Sequence, residues 1–203
     1  MYDCHCTSTH ARKRIVLTGG PGAGKTAVLE LARQLLCRHV HILPEAAGIL
    51  FGGRFPRGIE RFELQAAQRA IYHVQRELEY MADNLPGLAV VVCDRGTVDG
   101  AAYWPGPGEL WNAVGSSAAA ELARYDAVIH MRTPTPVAYN HVNPLRIESA
   151  AEATAIDARI AEAWSPHPQR MFVQSTAYFM DKARTALASL VEQLPECCRP
   201  PTL

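Results

Sequence analysis

Gly19-Gly-Pro-Gly-Ala-Gly24-Lys25-Thr26 is the stretch from which the rest of the chain is read. It fits the pattern G-x-x-x-x-G-K-[ST] in full, and it has the context that pattern needs. A short apolar run, Arg14-Ile-Val-Leu-Thr18, precedes it, and a helix-like segment follows from Lys25. Glycines let the backbone turn tightly and bring N–H groups against phosphate oxygens. The helix N-terminus aims a partial positive charge at the same place. Gly20, Pro21, Gly22, Ala23, Gly24, Lys25, Thr26 and Ala27 are therefore expected to hold the phosphates of ATP or GTP. Lys25 is placed to span the β- and γ-phosphates, and Thr26 to offer its hydroxyl to Mg²⁺.

Working outward, four more short apolar runs follow: Val40–Leu43, Leu88–Cys93, Ala127–Met131 and Met171–Val173. Continuous rather than alternating apolar runs suit strands covered on both faces, as in a parallel sheet between helices. The segments between them carry helical periodicity. Val28, Leu31, Ala32, Leu35 and Leu36 share a face of Lys25–Arg38. Phe62, Ala66, Ala70, Val74, Leu78 and Met81 form a near-continuous i,i+4 row in Ile59–Asp83, which predicts its buried side. Ala153, Ile156, Ile160 and Trp164 do the same for Ala150–Trp164, and Ala183, Leu187, Leu190 and Leu194 for Tyr178–Leu194. The pattern predicts one α/β domain, a three-layer sandwich with a five-stranded parallel sheet. Its expected bounds are 13–194, with an N-terminal arm at 1–12, a lid-like segment at about 132–168 and a loose tail at 195–203.

Two acids stand at strand ends beside the phosphate loop. Asp94 follows Val90-Val-Val-Cys93, where a carboxylate would hold Mg²⁺ or its waters together with Thr26. Glu45, in Leu43-Pro-Glu45-Ala, has the equivalent address after the second strand, suited to accepting the proton of an attacking hydroxyl. Arg95 either stabilises phosphate charge or pairs with a local acid. Arg54 and Arg57, on the Gly-rich stretch Phe51-Gly-Gly-Arg-Phe-Pro-Arg-Gly58, are candidates to grip an anionic or planar acceptor. Arg132, Arg146 and Arg159 are candidate lid cations, with Arg146 the leading choice to neutralise the transferring phosphoryl group.

Composition narrows the classes. The chain has 203 residues, 48% of them apolar and 20% charged, enough for a core without covalent staples. Lys plus Arg equals Asp plus Glu at 20 each, so the basic footprint of a nucleic-acid binder is missing. No apolar run reaches a membrane-spanning length, and the N-terminal residues carry no apolar secretory stretch. The six cysteines are accordingly expected to be reduced in a cytoplasm. Cys4-His5-Cys6 with His10 offers metal-ligating groups, but no second Cys or His pair follows at zinc-finger spacing, and Cys197-Cys198 is remote in sequence. The arm is therefore not read as a metal site.

The phosphate loop, Leu43-Pro-Glu45-Ala, Asp94-Arg95-Gly96-Thr97 and the stretch from Asn143-Pro-Leu-Arg146 to Trp164-Ser-Pro-His167-Pro together resemble AAA-type P-loop proteins grouped with the ribosylnicotinamide kinase domain of NadR. The group is similar, more distantly, to thymidylate and deoxynucleoside kinases, and it also includes a GTP-binding trafficking protein. The resemblance spans residues 13–194 and implies a nucleotide-kinase-like fold. It also implies a base or substrate-ligand role for Glu45, and a lid between Arg132 and Arg159.

Two functions follow as expectations. One is a Mg²⁺-dependent kinase passing the γ-phosphate of ATP to a nucleoside-like or other hydroxyl or phosphate acceptor. The other is a nucleotide-dependent ATPase or GTPase switch acting on a protein or lipid partner. No Asn-Lys-x-Asp run, the usual guanine reader, lies near the fourth or fifth strand, which favours ATP. A homodimer is compatible with the sequence; a ring-forming motor is not, given the short chain.

Overall fold

The computed structural model describes residues 4–106, 108–134, 149–176 and 178–201. Five strands, β1 (Lys13–Thr18), β2 (Val40–Leu43), β3 (Val90–Asp94), β4 (Ala127–Met131) and β5 (Arg170–Val173), pair in parallel in the order β2-β3-β1-β4-β5. The helices in chain order are α1 (Lys25–Leu35), α2 (Ala46–Gly52), α3 (Arg61–Asp83), α4 (Asp99–Tyr103), α5 (Leu110–Val114), α6 (Ala118–Leu122), α7 (Ala150–Ala163) and α8 (Phe179–Glu192). The expected sandwich is thus present. Strand residues alternate between two cores: Ile15, Leu17, Val90, Val92 and Ile129 face α1 and α8, whereas Val16, Val91, Cys93 and Val128 face the layer of α3, α4 and α7. Both faces are covered, which is why every residue of β3 and β4 is buried. No helix among the described residues is long and apolar enough to cross a membrane.

The amphipathic readings of α7 and α8 hold: Ala153, Ile156, Ile160 and Trp164, then Ala183, Leu187, Leu190 and Leu194, are all buried. That of α3 does not. Phe62 and Met81, the ends of its apolar row, are 69% and 65% exposed. The face that packs inward carries Ala67, Tyr72, Gln75, Glu79 and Ala82. Polar groups tolerate that position because they satisfy one another. Glu79 accepts hydrogen bonds from Gln75 (2.8 Å) and the Tyr125 hydroxyl (2.8 Å), and pairs with Arg124. Beside it, Glu121 accepts from Tyr72 (2.8 Å), Thr97 (2.8 Å) and Ser116 (2.6 Å). Removing one partner of such a pair strands the other in low dielectric. Glu79→Ala is therefore expected to lower unfolding stability by about 3–5 kcal/mol in urea denaturation. A loss below about 1 kcal/mol would place the network among surface ion pairs.

The segment after α8 also differs from its sequence reading. It is not a loose tail: Glu196–Cys198 forms a 3₁₀ turn, and the Cys198 side chain is fully buried in the α1–α8 core.

Candidate active site

The loop between β1 and α1 owes its shape to glycines. Gly19 has φ 138°, and a Cβ there would sit 2.0 Å from the Met131 carbonyl oxygen. Gly24 caps α1 with φ 93°, in a space where a Cβ would strike the Phe179 ring at 2.5 Å. Neither position admits a side chain. Lys25, the first residue of α1, is buried, and its Nζ donates to the Gly19 carbonyl at 3.2 Å. Burial, reinforced by the nearby Arg95 cation, lowers its pKa to about 8, although Asp94, Glu45 and Asp99 pull the other way. Thr26 and Ala27 are exposed at the head of the helix, and Ala23 is buried beneath the loop.

The third strand places its acid beside this loop. Asp94 is the last residue of β3 and is paired in register with Leu17 of β1. It is buried, and its Oδ1 has no hydrogen-bond partner among the described residues. Burial and the Glu45 and Asp99 carboxylates raise its pKa against the pull of Lys25 and Arg95. The next residue, Arg95, takes a left-handed backbone with φ 69°, its N–H bound to the Leu17 carbonyl at 3.1 Å. That conformation is unfavourable for a side-chain-bearing residue and here re-aims the chain. The Arg95 guanidinium bridges Glu45 (2.8 Å) and Asp99 (3.1 Å). Glu45 is the N-cap of α2; burial alone would raise its pKa, but Arg95 and Lys25 outweigh burial and leave it lowered.

Asp99 is a residue the sequence reading missed. Its carboxylate also accepts from Thr18 Oγ1, the Gly96 N–H (3.1 Å) and Trp164 Nε1 (3.0 Å), so one acid holds the ends of β1 and β3 to the C-terminus of α7. Asp157 was missed as well. It accepts from the Gly20 N–H (3.0 Å), pairs with His130 (2.8 Å) and lies 3.2 Å from Arg132 Nη1. A signal existed: Asp157 interrupts the apolar face made by Ala153, Ile156 and Ile160. Lys182, third, donates to the carbonyls of Ala23 (2.8 Å) and Arg132 (2.5 Å).

Of the proposed acceptor and lid cations, Arg57 stacks 4.2 Å from the Phe51 ring centroid. It lines a cavity of about 390 Å³ bounded also by Pro21 of the loop, Glu45, Arg95, Gln68 and Tyr103. Arg54 is exposed, with φ 68°, and does not line that cavity. Arg132 is tied to Asp157, and Arg159 donates to the Ala102 carbonyl at 2.8 Å. Residues 135–148 of the lid-like segment, Arg146 among them, lie outside the described residues.

The model of the AAA domain family matches residues 14–179, and the chain belongs to that family. The family and the Gly19–Thr26 motif make it a nucleotide-binding P-loop protein. Among solved structures, thymidylate kinase from Candida albicans superposes with a TM-score of 0.58 at 14% identity, over 91% of this chain and 93% of that one, a likeness of fold. No curated protein matches the chain.

Proposed function

We propose that this protein is a small-molecule kinase that passes the terminal phosphoryl group of ATP to a hydroxyl or phosphate oxygen of an acceptor. The observation that carries the reading is the cavity of about 390 Å³ that opens off the P-loop at Pro21, with Glu45 and Arg95 on its wall. A hydrolytic switch has no use for a second pocket beside the phosphates, whereas a kinase must hold two reactants in line. Such positioning supplies about 7–11 kcal/mol of a transfer barrier.

In this reading the P-loop amides and Lys25 take the triphosphate. The unpartnered, buried Asp94 oxygen and the Thr26 hydroxyl suit Mg²⁺ or its waters, since a hard cation takes oxygen donors and keeps several waters. The ion would neutralise charge on the β- and γ-phosphates. An acceptor oxygen attacks the γ-phosphorus, the bond to the β–γ bridging oxygen breaks, and ADP leaves. Glu45, whose Oε1 is engaged by Arg95, orients the acceptor hydroxyl or takes its proton. Phe51 and Arg57 give the pocket a planar, cationic wall for a nucleoside-like body. A reducing, ATP-rich cytoplasm suits this chemistry.

The test is ADP release measured across nucleosides, nucleotides and vitamin-like alcohols, with water as the blank. Stimulation by one acceptor class is the expected result, and Glu45→Gln is expected to cut that stimulated rate by about 10²–10⁴ while water-dependent release stays the same. Equal slow release in every arm would assign a regulatory NTPase instead.

A further inference from the structure

At the amino-terminal edge of the sheet, opposite the P-loop, three segments remote in sequence converge. These are residues 4–10 before β1, the turn between α1 and β2, and the 3₁₀ turn after α8. They bring together five of the six cysteines and two histidines. Cys4, Cys37, His39 and Cys198 form one group, all buried; Cys6, His10, Cys197 and Cys198 form a second, more open one. Within each group the ligand atoms all lie within 4.8 Å of one another. Cys93, in β3, belongs to neither.

Hydrogen bonding does not account for the arrangement. His39 Nδ1 has Cys4 Sγ at 3.1 Å, Cys198 Sγ at 3.6 Å and Cys37 Sγ at 3.7 Å. His10 Nε2 has Cys6 Sγ at 3.2 Å, Cys197 Sγ at 3.4 Å and Cys198 Sγ at 3.9 Å. A ring nitrogen has one lone pair or one proton, so it satisfies one such neighbour and not three. Three sulfurs converging on one nitrogen are instead the corners of a coordination shell. A tetrahedral ion with bonds of about 2.3 Å to sulfur and 2.0–2.1 Å to nitrogen holds its ligand atoms about 3.5–3.8 Å apart. The observed spacings bracket that range. Two four-coordinate ions that share one bridging ligand need seven donors, and the two groups supply seven, with Cys198 common to both.

We propose that this cluster binds two zinc ions bridged by the Cys198 thiolate, the inner one held by Cys4, Cys37 and His39 and the outer one by Cys6, His10 and Cys197. Thiolate and imidazole donors in a closed tetrahedral set select zinc, and a full shell with no open position marks a structural rather than a catalytic centre. Loading takes all five cysteines as thiolates, releasing to solvent the protons their thiols still hold, and leaves both imidazoles neutral. The ions pin the N-terminal arm and the C-terminal turn to the floor of the sheet. Zinc-finger spacing fails to reveal the site because its donors come from three segments remote in sequence.

The full chain, reconstituted with zinc under reducing conditions and desalted, is expected to hold two zinc per chain by elemental analysis. Native mass spectrometry should agree, and all six thiols should be free after denaturation in chelator. Cys37→Ser and Cys6→Ser should each retain one ion, and Cys93→Ser both. The cobalt-substituted wild type, which requires no variant to fold, should show thiolate-to-metal charge-transfer absorption. Fewer than two equivalents in the wild type, or a mass two hydrogens short from a Cys6–Cys197 disulfide, would overturn the bridged pair. So would two equivalents that survive both ligand substitutions.

Discussion

Lys25→Met is expected to lose triphosphate turnover by a factor of about 10²–10³ and, without nucleotide, to melt at a higher temperature than the wild type at pH 7. The two effects share one cause. Among the described residues the buried ammonium makes one hydrogen bond, to the Gly19 carbonyl, which leaves it the donors that phosphate oxygens would take. Its depressed pKa, about 8 against an ordinary 10.5, measures the cost of keeping that charge in the folded chain. The sign follows from proton counting. Between pH 8 and 10.5 the unfolded chain binds the proton and the folded chain does not, so wild-type stability rises with pH across that window. Below pH 8 the cost is fully present, and methionine removes it. The shift corresponds to about 3 kcal/mol, less the lost hydrogen bond to Gly19. Melting curves of both proteins from pH 6 to 10, with and without Mg²⁺ and ATP, check this. The stability gap should narrow as pH rises, and nucleotide should stabilise the wild type alone. A variant that turns over triphosphate at the wild-type rate would remove the P-loop from the mechanism.

Asp94→Asn carries the second large effect. An amide keeps the shape of the carboxylate but gives up the charge that a divalent cation requires. Turnover is expected to fall by about 10²–10³, with the apparent affinity for Mg²⁺ falling more than that for ATP. The unliganded variant should again gain stability. Burial raises the Asp94 pKa, so the folded chain binds the proton more tightly than the unfolded one. Wild-type stability therefore drops as pH climbs from about 4 through the raised folded-state value. The stability difference between Asp94→Asn and the wild type should be small near pH 4 and largest at neutral pH. Magnesium titrations of turnover, paired with urea unfolding at pH 4.5 and 7.5, read both arms. An unchanged magnesium dependence would assign the ion to other oxygens.

Both expectations describe a site assembled at a cost in folding stability. Lys25, Asp94, Glu45 and Arg95 are like and unlike charges crowded at one sheet edge, and the pair Arg95–Glu45 relieves only part of the crowding. Bound triphosphate and cation would supply the missing counter-charges. Functional sites commonly depart in this way from what stability alone would choose.

Much of this was legible in the residues. The P-loop, the five parallel strands and the buried faces of α7 and α8 follow from local rules: a motif with a steric reason for each glycine, apolar runs with no alternation, and helical periodicity. The strand-end addresses of Asp94 and Glu45 follow once the strands are placed. The inward face of α3 was not legible, because Glu79, which Gln75 bonds within the helix, enters the core only in company with Tyr125 and Arg124, contributed by another segment. Asp99 was equally hidden, and Asp157 showed only as a break in an apolar helical face. Their value as hubs lies in partners from 65 residues and 137 residues away, Trp164 and Gly20 respectively.

The sequence by itself determined the fold class and the position of the P-loop, since a tight glycine turn between a strand and a helix carries its motif in eight consecutive residues. Only the tertiary structure decided which charges meet Arg95 and where a cavity opens beside the P-loop. It alone assembled a cysteine–histidine cluster from three remote segments of the chain. Those features depend on distances between segments far apart in sequence, and such distances are set by packing rather than by local pattern.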